Sequence, residues 1–280
     1  MVRSDRRRAA LTYLLAAPFV LFALFPFVWM LITSLKQNRE LYSLTQNPFL
    51  VRQGITWDHY RFLLERTDFP LWLRNSTIVA VVATLVSVVF ALLAAYALAR
   101  LRFAGAEGVA TFVFIVYLVP TTLLFIPLAR IVALLQLSNT LWALIVTYPA
   151  FIVPFATWML MAYMANIPRS LEESAMVDGC TRLRALWHIV LPVARPGIIT
   201  AALFAFTLAW GEFIYALTFI STSSVKTVTA GVVVDLIRGD VFYWGSLMGG
   251  ALLASLPVVL LFSLFLDHYI AGLTAGAVKG

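Results

Sequence analysis

The segment Ser170–Pro192, SLEESAMVDGCTRLRALWHIVLP, is a charged island in an apolar chain. Hydrophobic residues make up 62% of the 280 residues and charged residues only 12%, whereas a soluble domain has about 25% charged residues. The composition therefore indicates a membrane protein. The island stands out because it collects titratable side chains, namely Glu172, Glu173, Asp178, Arg182, Arg184 and His188.

The apolar runs on both sides of the island are long enough for transmembrane helices, which need about 20 residues. The first run, Ala9–Leu35, is longer than the apolar core of a signal peptide, which has about 7–15 residues, so we interpret it as a retained first span. The uncharged run Ile131–Pro168 is too long for one span, and a turn at 136–139 divides it.

These runs predict an all-α polytopic membrane protein, because only helices and closed barrels satisfy their backbone in lipid and no strand-like alternation occurs. A single transmembrane domain, 1–280, is expected to contain six spans. They cover about residues 9–35, 74–99, 108–135, 140–163, 196–222 and 241–266, and the loop that carries the island covers 168–192.

The basic residues predict the orientation, since Lys and Arg concentrate in short cytoplasmic loops. They precede the first span or lie in the loops after the second and fourth spans: Arg3, Arg6, Arg7, Arg8, Arg100, Arg102, Arg169, Arg182, Arg184 and Arg195. The turn at 136–139 on the opposite side has none. We therefore expect a bacterial cytoplasmic (inner) membrane protein with both termini and the island in the cytoplasm. The lipid bilayer, and not nucleic acid, accounts for the net charge of +7.

The island has the signals of a helical hairpin. Ser170 and Glu173 have the spacing of a capping box at the start of a helix, and Gly179 after Asp178 is a natural helix end. Thr181 is suited to cap a second helix, about 182–190, that ends before Pro192. On this second helix Leu183, Leu186 and Val190 are expected to form an apolar stripe.

Two functions suit such a hairpin. It could lie among lipid headgroups as an amphipathic segment, or it could bind a protein on the cytoplasmic side. Anionic lipids repel the acids of the first helix, which favours a protein partner. The small residues Ser174, Ala175 and Gly179 leave room for that partner to approach closely.

The chain lacks the motifs of an enzyme. It has no G-x-x-x-x-G-K-[ST] loop for a nucleotide, and neither H-E-x-x-H nor C-x-x-C occurs. We therefore predict no catalytic residue, no metal site and no cofactor bound by this chain. Glu212 is an acid within an apolar run, where a carboxylate suggests function, such as bonding sugar hydroxyls or pairing with Arg130. An ion-coupled secondary carrier acting alone, with Glu212 as its coupling site, is the alternative to a subunit of a larger transporter.

The island resembles the EAA loop of ATP-binding-cassette (ABC) importer permeases. The matching residues are Glu173-Ser174-Ala175, then Gly179, then Ile189-x-Leu191-Pro192, with Ser in the place of the first Ala. The chain end AGLTAGAVKG and the pair Asn75-Ser76 are similar to the carbohydrate branch of that family, in particular to the second permease subunit of maltose-type importers. An importer of amino acids or metals is disfavoured by this chain end.

The resemblance implies the type I ABC importer permease fold with a cytoplasmic coupling-helix hairpin. It implies these partners: a homologous second permease subunit, two ATPase subunits that bind ATP and Mg, and an extracytoplasmic solute-binding protein. The implied ATPase-coupling residues are Glu173, Ser174, Ala175, Asp178, Gly179, Leu183, Ile189 and Pro192, with a C-terminal contact through Gly276 and Lys279. The expected cargo is a disaccharide, oligosaccharide or polyol.

Side chains of the apolar runs are candidates for the substrate pathway. Aromatic rings stack on sugar faces and carboxylates bond sugar hydroxyls, which gives Trp210, Tyr215, Tyr148 and Glu212 as candidates. In the maltose type, by resemblance, the partner permease makes the main sugar contacts.

Overall fold

The computed structural model describes residues 2–43, 45–101, 103–239 and 241–268. Its helices up to the middle of the chain are α1 (Val2–Ser34), α2 (Asn38–Leu41), α3 (Asp58–Arg66), α4 (Phe69–Arg100), α5 (Ala106–Leu118), α6 (Thr121–Leu134) and α7 (Leu141–Thr147). The later helices are α8 (Pro149–Ala165), α9 (Ser170–Val177), α10 (Arg182–Ala185), a π-helical turn (Leu186–Val190), α11 (Leu191–Gly211), α12 (Ile214–Phe219), a 3-10 turn (Ser223–Val225), α13 (Val228–Asp235) and α14 (Trp244–Leu264). Two short strands, β1 (Ile237–Arg238) and β2 (Val241–Phe242), pair antiparallel.

Five helical segments within the described ranges are long and apolar enough to cross a membrane: Ala10–Ser34, Phe69–Arg100, Leu141–Ala165, Arg182–Gly211 and Trp244–Leu264. In the place of the third predicted span, α5 and α6 form a pair that bends by 96°. The bend lies at Pro120, whose backbone is extended (ψ 121°), because proline has no N–H for the helix and disfavours the helical conformation of the residue before it. The predicted all-α polytopic fold is confirmed, with one span broken in the middle.

The predicted end of the second hairpin helix before Pro192 is wrong. α10 continues through the π-helical turn into α11, so one helical segment runs from Arg182 to Gly211. In a regular α-helix the ring of Pro192 would clash with the carbonyl four residues earlier. The wider turn, in which the Leu191 amide donates to the Leu186 carbonyl, lets the helix pass the proline. The fifth span also ends at Gly211 and not near 222, since Glu212 has an extended backbone (ψ 134°).

The chain divides into two compact units, and the first combines the chain up to Pro70 with Gly231–Leu256. In this unit α3 packs on the start of α14. His59 Nε2 lies 2.8 Å from the Lys36 carbonyl oxygen, and the imidazole of His59 rests directly on Gly245. Gly249, one turn further along α14, faces Tyr60. These glycines have no side chain to separate the helices, so α14 approaches α3 closely.

A buried ion pair fixes the segment that follows α1. Lys36 Nζ lies 3.4 Å from Glu40 Oε1, and both side chains are almost fully buried. Burial alone would raise the pKa of Glu40, but the backbone amides of Arg52 and Gln53 and the Lys36 ammonium outweigh it and hold the pKa below its usual value. The stabilisation by Glu40 is therefore fully present above the usual carboxyl pKa and is lost as pH falls through the lowered pKa.

The second unit contains Leu71–Ala230 and the chain from Pro257 onward. Its core brings α4, α8 and the helix that begins at Arg182 together. The core residues are Ala91, Ala95, Tyr96, Ala156, Leu160, Met164, Leu186, Val190 and Ala201. The hairpin is thus attached to two membrane spans through apolar side chains.

Replacement of Gly245 by Ala should destabilise the first unit, because the new Cβ would overlap the His59 ring and overpacking costs about 1–3 kcal/mol. Gly108 in α5 is the matched control, since among the described residues no atom beyond the local helix backbone lies within 4 Å of the Cβ that Ala would add there, and Ala gains up to about 1 kcal/mol of helix propensity over Gly. Thermal unfolding of the purified protein in detergent should give a lower midpoint for G245A and an unchanged or higher midpoint for G108A. Equal midpoints for G245A and the wild type would contradict the close packing.

Candidate functional site

The start of the hairpin differs from the sequence-based prediction. Ser170 is the first residue of α9, Arg169 before it has helical backbone angles, and no side chain caps this end. The predicted capping box of Ser170 and Glu173 is therefore wrong. The amides of Glu172 and Glu173 both donate to the Arg169 carbonyl at 3.0 and 3.1 Å. The backbone thus begins the helix one residue earlier, and Ser170 lacks the extended conformation that a side-chain cap requires.

The turn of the hairpin forms as the sequence predicts. Gly179 has φ +89°, its amide donates to the Met176 carbonyl at 3.1 Å, and the next amide, of Cys180, donates to the Ala175 carbonyl at 3.0 Å. This pair of bonds is the Schellman helix end, which needs a left-handed residue and so favours glycine. Thr181 then accepts a bond from the Arg184 amide and caps α10.

The hairpin has a buried inner face and an exposed outer face. Ala175, Leu186 and Val190 are buried against the spans. Glu173, Ser174, Asp178 and Gly179 of the predicted coupling set are exposed, as are Leu183 and Pro192, while Ile189 is half-buried. Leu183 differs from Leu186 and Val190, the other residues of the predicted apolar stripe, because 64% of its surface is exposed.

Two exposed apolar residues of the hairpin were missed by sequence reasoning. Val177 has 87% of its surface exposed and Trp187 has 60%. Both apolar side chains therefore lie on the surface of a segment that is otherwise rich in charge. The sequence signal was available for Val177, since it directly precedes Asp178 at the helix end, where a core residue is not expected.

The adjacent acids Glu172 and Glu173 differ in exposure, although both line one polar cavity beside Arg100. Glu173 is exposed, whereas the side chain of Glu172 is only 13% exposed and lies 3.3 Å from Arg100 Nε. The Glu173 carboxylate is therefore accessible on the hairpin surface, whereas the Glu172 carboxylate pairs with Arg100 inside the protein.

Three of the four candidate pathway residues come together at the break after α11. Tyr148 donates its hydroxyl to Glu212 Oε2 at 3.0 Å, and the Glu212 carboxylate also accepts the amides of Tyr215 at 2.8 Å and Ala216 at 3.2 Å. The rings of Tyr148 and Tyr215 lie 6.2 Å apart and both are buried. The fourth candidate, Trp210, stacks on Phe206 with the ring centroids 5.5 Å apart.

Glu212 thus caps the first amides of α12. Such amides lack partners within the helix and are satisfied by side-chain oxygens. The suggested ion pair between Glu212 and Arg130 is absent from the described part of the chain, in which the Glu212 carboxylate bonds Tyr148 and the α12 amides. The predicted tail residues Gly276 and Lys279 lie outside the described residues.

The architecture is that of an ABC importer permease. It is similar to a bacterial ABC transporter involved in the import of the acidic polysaccharide alginate, with a TM-score of 0.77 over 95% of this chain and 98% of that chain at 20% identity. A second structure, of bacterial alginate ABC transporter in complex with alginate pentasaccharide-bound periplasmic protein, aligns with a TM-score of 0.66 over 94% of each chain at 15% identity.

The chain belongs to the family of binding-protein-dependent transport system inner membrane components, whose model matches residues 87–275. It is 38% identical to the inner membrane ABC transporter permease protein YcjP of Escherichia coli strain K12, over 94% of each chain. It is 36% identical to the sulfoquinovosyl glycerol transport system permease protein SmoH of Agrobacterium fabrum, over 96% of this chain and 94% of the relative. It is 32% identical to the trehalose/maltose transport system permease protein MalG of Thermococcus litoralis, over the whole of both chains.

The family membership makes this chain a membrane-bound permease subunit of an ABC importer. It is a transport subunit and not an enzyme. The predicted resemblance of the chain to sugar ABC importer permeases is confirmed. The ion-coupled carrier acting alone loses its basis, since the carboxylate that suggested it caps a helix.

Replacement of Glu212 by Ala should destabilise the break after α11, because it leaves the buried Tyr148 hydroxyl and two amides without an acceptor, at about 1–3 kcal/mol for each unsatisfied group. E212Q keeps one acceptor oxygen, so we expect a smaller loss of thermal stability and retained transport. Tyr148→Phe removes the hydroxyl and should cost less stability in the E212A background than in the wild type.

Transport by E212Q distinguishes helix capping by Glu212 from ion coupling by Glu212. An ion-coupling carboxylate has to release its proton, so a stable E212Q protein that has lost transport at every pH would contradict the capping role.

Proposed function

We propose that this chain is the membrane-spanning permease subunit of an ATP-driven importer for a carbohydrate, such as a disaccharide, an oligosaccharide or a polyol. It would form half of the translocation pathway, and a homologous second permease subunit would form the other half. The cargo class is supported by the relatives, which are named for trehalose/maltose, sulfoquinovosyl glycerol and diacetylchitobiose transport.

The two faces of the hairpin are the observation that carries the proposal. Its inner side is buried on the spans, and its outer side presents Glu173, Asp178, Val177 and Leu183 to a partner. Exposed apolar side chains beside carboxylates suit a socket that is partly apolar and partly basic. We propose that this socket belongs to a separate ATPase subunit, of which two copies bind ATP and Mg. The tail residues Gly276 and Lys279 would add a second contact.

The orientation follows from the basic residues that flank the hairpin. Arg169, Arg182 and Arg184 lie beside its two helices, and basic side chains are retained on the cytoplasmic side. Both termini and the hairpin would therefore face the cytoplasm. An extracytoplasmic solute-binding protein would dock on the opposite side, where the longer segments 36–68 and 225–240 lie.

The substrate contacts of this chain remain a prediction. Glu212, Tyr148 and Tyr215 bond to one another or to backbone in the structure, which supports a structural role for this group in the present conformation. We propose that the second permease subunit makes most of the sugar contacts, since Trp210 is buried as well.

ATP-dependent uptake of a radiolabelled disaccharide tests the whole proposal. The chain is co-expressed with the neighbouring genes for an ATPase, a second permease and a binding protein, and uptake is measured in cells that lack other sugar importers. We expect uptake only when all components are present, and no hydrolysis of ATP by this chain alone. Uptake that needs only this chain and a proton gradient would contradict the proposal.

Cys180 provides a test of orientation and docking, because it is the only cysteine of the chain and lies in the hairpin turn beside Gly179. A membrane-impermeant maleimide should label it in inside-out vesicles and leave it unlabelled in right-side-out vesicles. Bound ATPase should reduce the labelling, and Cys180→Ser is the control for background. Labelling in right-side-out vesicles would place the hairpin on the extracytoplasmic side and contradict the proposed orientation.

Substitutions of Gly179 should distinguish two effects, the backbone strain of the turn and steric interference with binding of the ATPase. Within the described residues, and apart from Gly179 and its two chain neighbours, no atom lies within 4 Å of a Cβ at Gly179, so the cost comes from the left-handed backbone, about 1–2 kcal/mol for Ala and less for Asn. Thermal stability of the purified chain should therefore follow the order Gly, Asn, Ala.

Co-purification of the ATPase should follow a different order for the Gly179 variants. Asn adds a larger side chain to the outer face than Ala does, so G179N should lose more bound ATPase than G179A despite its greater stability. The same order in both measurements would mean that Gly179 matters only for the turn.

A further inference from the structure

Two arginines fasten the hairpin to the end of α4 by reciprocal bonds. Arg100, the last residue of α4, donates from Nη2 to the Ile167 carbonyl at 2.7 Å. Arg169, at the start of the hairpin, donates from Nη2 to the Ala99 carbonyl at 3.1 Å. Each guanidinium thus bonds the backbone of the segment that carries the other one.

One of the two bonds uses a carbonyl that a helix leaves unsatisfied. The last four carbonyls of a helix have no partner within it, and positive charge is favourable at that end. Ala99 lies in the last turn of α4, whereas Ile167 lies two residues beyond the end of α8, in the segment that leads into α9. The guanidiniums therefore hold the ends of two spans and the hairpin start in one fixed arrangement.

Glu172 connects α9 to Arg100. Its Oε1 lies 3.3 Å from Arg100 Nε, and the Arg100 side chain is only 3% exposed. The contact is an ion pair without an aligned hydrogen bond between these two atoms. A polar cavity of about 280 Å³, lined in part by Arg182 and Met176, adjoins the pair, so the carboxylate has room to shift while it stays near the guanidinium.

We propose that Arg100 and Glu172 are positioning residues that transmit movement of α9 to the second span. The inference rests on the proposed function, in which the hairpin seats in an ATPase subunit, and it adds that this subunit moves the hairpin. The ATPase would contact Glu173 on the outer face and displace α9. Glu172 would move with α9, and its ion pair with Arg100 would shift the end of α4. The pair acts through the spans and does not touch substrate or nucleotide.

Transport per ATP hydrolysed is the readout that separates this role from simple stabilisation. The complete complex, with ATPase, second permease and binding protein, is reconstituted in proteoliposomes, and sugar uptake and phosphate release are measured together. E172Q removes the charge at nearly constant shape. We expect the ATPase to remain bound and active while sugar transported per ATP falls by about 5- to 150-fold, the range of coupling between two sites.

Arg100→Lys is the second variant, because an ammonium keeps the charge but cannot bond Ile167 and Glu172 with the planar fork of arginine. It should also lower the transport per ATP, and Glu172→Asp, which keeps the carboxylate, should lower it less than E172Q. The matched control is Arg195→Gln, since Arg195 is an exposed arginine of α11 and should leave the ratio unchanged.

An unchanged ratio in E172Q and Arg100→Lys, with the complex assembled, would overturn the proposal, even where thermal stability falls. If Arg100→Lys does not assemble, the ratios of E172Q and Glu172→Asp decide alone. A wild-type complex that imports no sugar would contradict the proposed function itself, whereas a coupled wild type with an equally coupled E172Q would contradict only the positioning role.

Discussion

The packing of Leu186 and Val190 on α4 and α8 is the interaction on which the arrangement of the hairpin depends. Both side chains are almost fully buried, and each such burial contributes about 1.5–3 kcal/mol. The surface that receives them includes Ala91 and Ala95, and small residues of this kind let a helix approach closely. Because this inner face is fixed, the Schellman turn at Gly179 directs the remaining face of the hairpin away from the spans.

The features of the hairpin that the sequence predicts correctly are those that depend only on a residue and its neighbours in the chain. Gly179 and Thr181 were predicted correctly, because a left-handed helix end and a side-chain cap need only the residue and its neighbours. The cap at Ser170 and the helix end before Pro192 were predicted wrongly. In the first case the helix begins earlier, at Arg169, and in the second a π-helical turn precedes the proline. Neither feature can be predicted from residue type.

The inward direction of Glu172 could not be predicted for a different reason. Its partner Arg100 is distant in the sequence, and an arginine at the end of an apolar run indicates only the orientation of the span. The same limit applies to Glu212, which composition singles out as an acid in an apolar run. Only the fold shows that its oxygens bond Tyr148 and the amides of α12.

The two broken regions of the second unit satisfy each other's polar groups. Irregular backbone at membrane depth is tolerated only where protein covers it. The Tyr215 hydroxyl of α12 donates to the Thr121 carbonyl at the start of α6 at 2.9 Å. At the turn that ends the third span, the Asn139 amide donates to the Phe219 carbonyl at 2.7 Å, and its side-chain oxygen accepts the amide of Thr222 at 2.9 Å. A break at Pro120 and a break at Glu212 are therefore compatible with the membrane because they adjoin.

Basic residues at the ends of the first two long helices serve a second purpose besides orientation. Lys36 follows α1, bonds the carbonyls of Asn47 and Pro48 at 3.2 and 2.8 Å and pairs with Glu40. Arg100 ends α4, bonds the Ile167 carbonyl and pairs with Glu172. In each unit a buried cation thus joins a helix end to the segment outside it, with a carboxylate that neutralises the charge. Buried pairs of this kind add little net stability, because desolvation offsets their attraction. We infer that their value here is geometric, since a buried cation that contacts both a carbonyl and a carboxylate fixes the position of the segments that provide them.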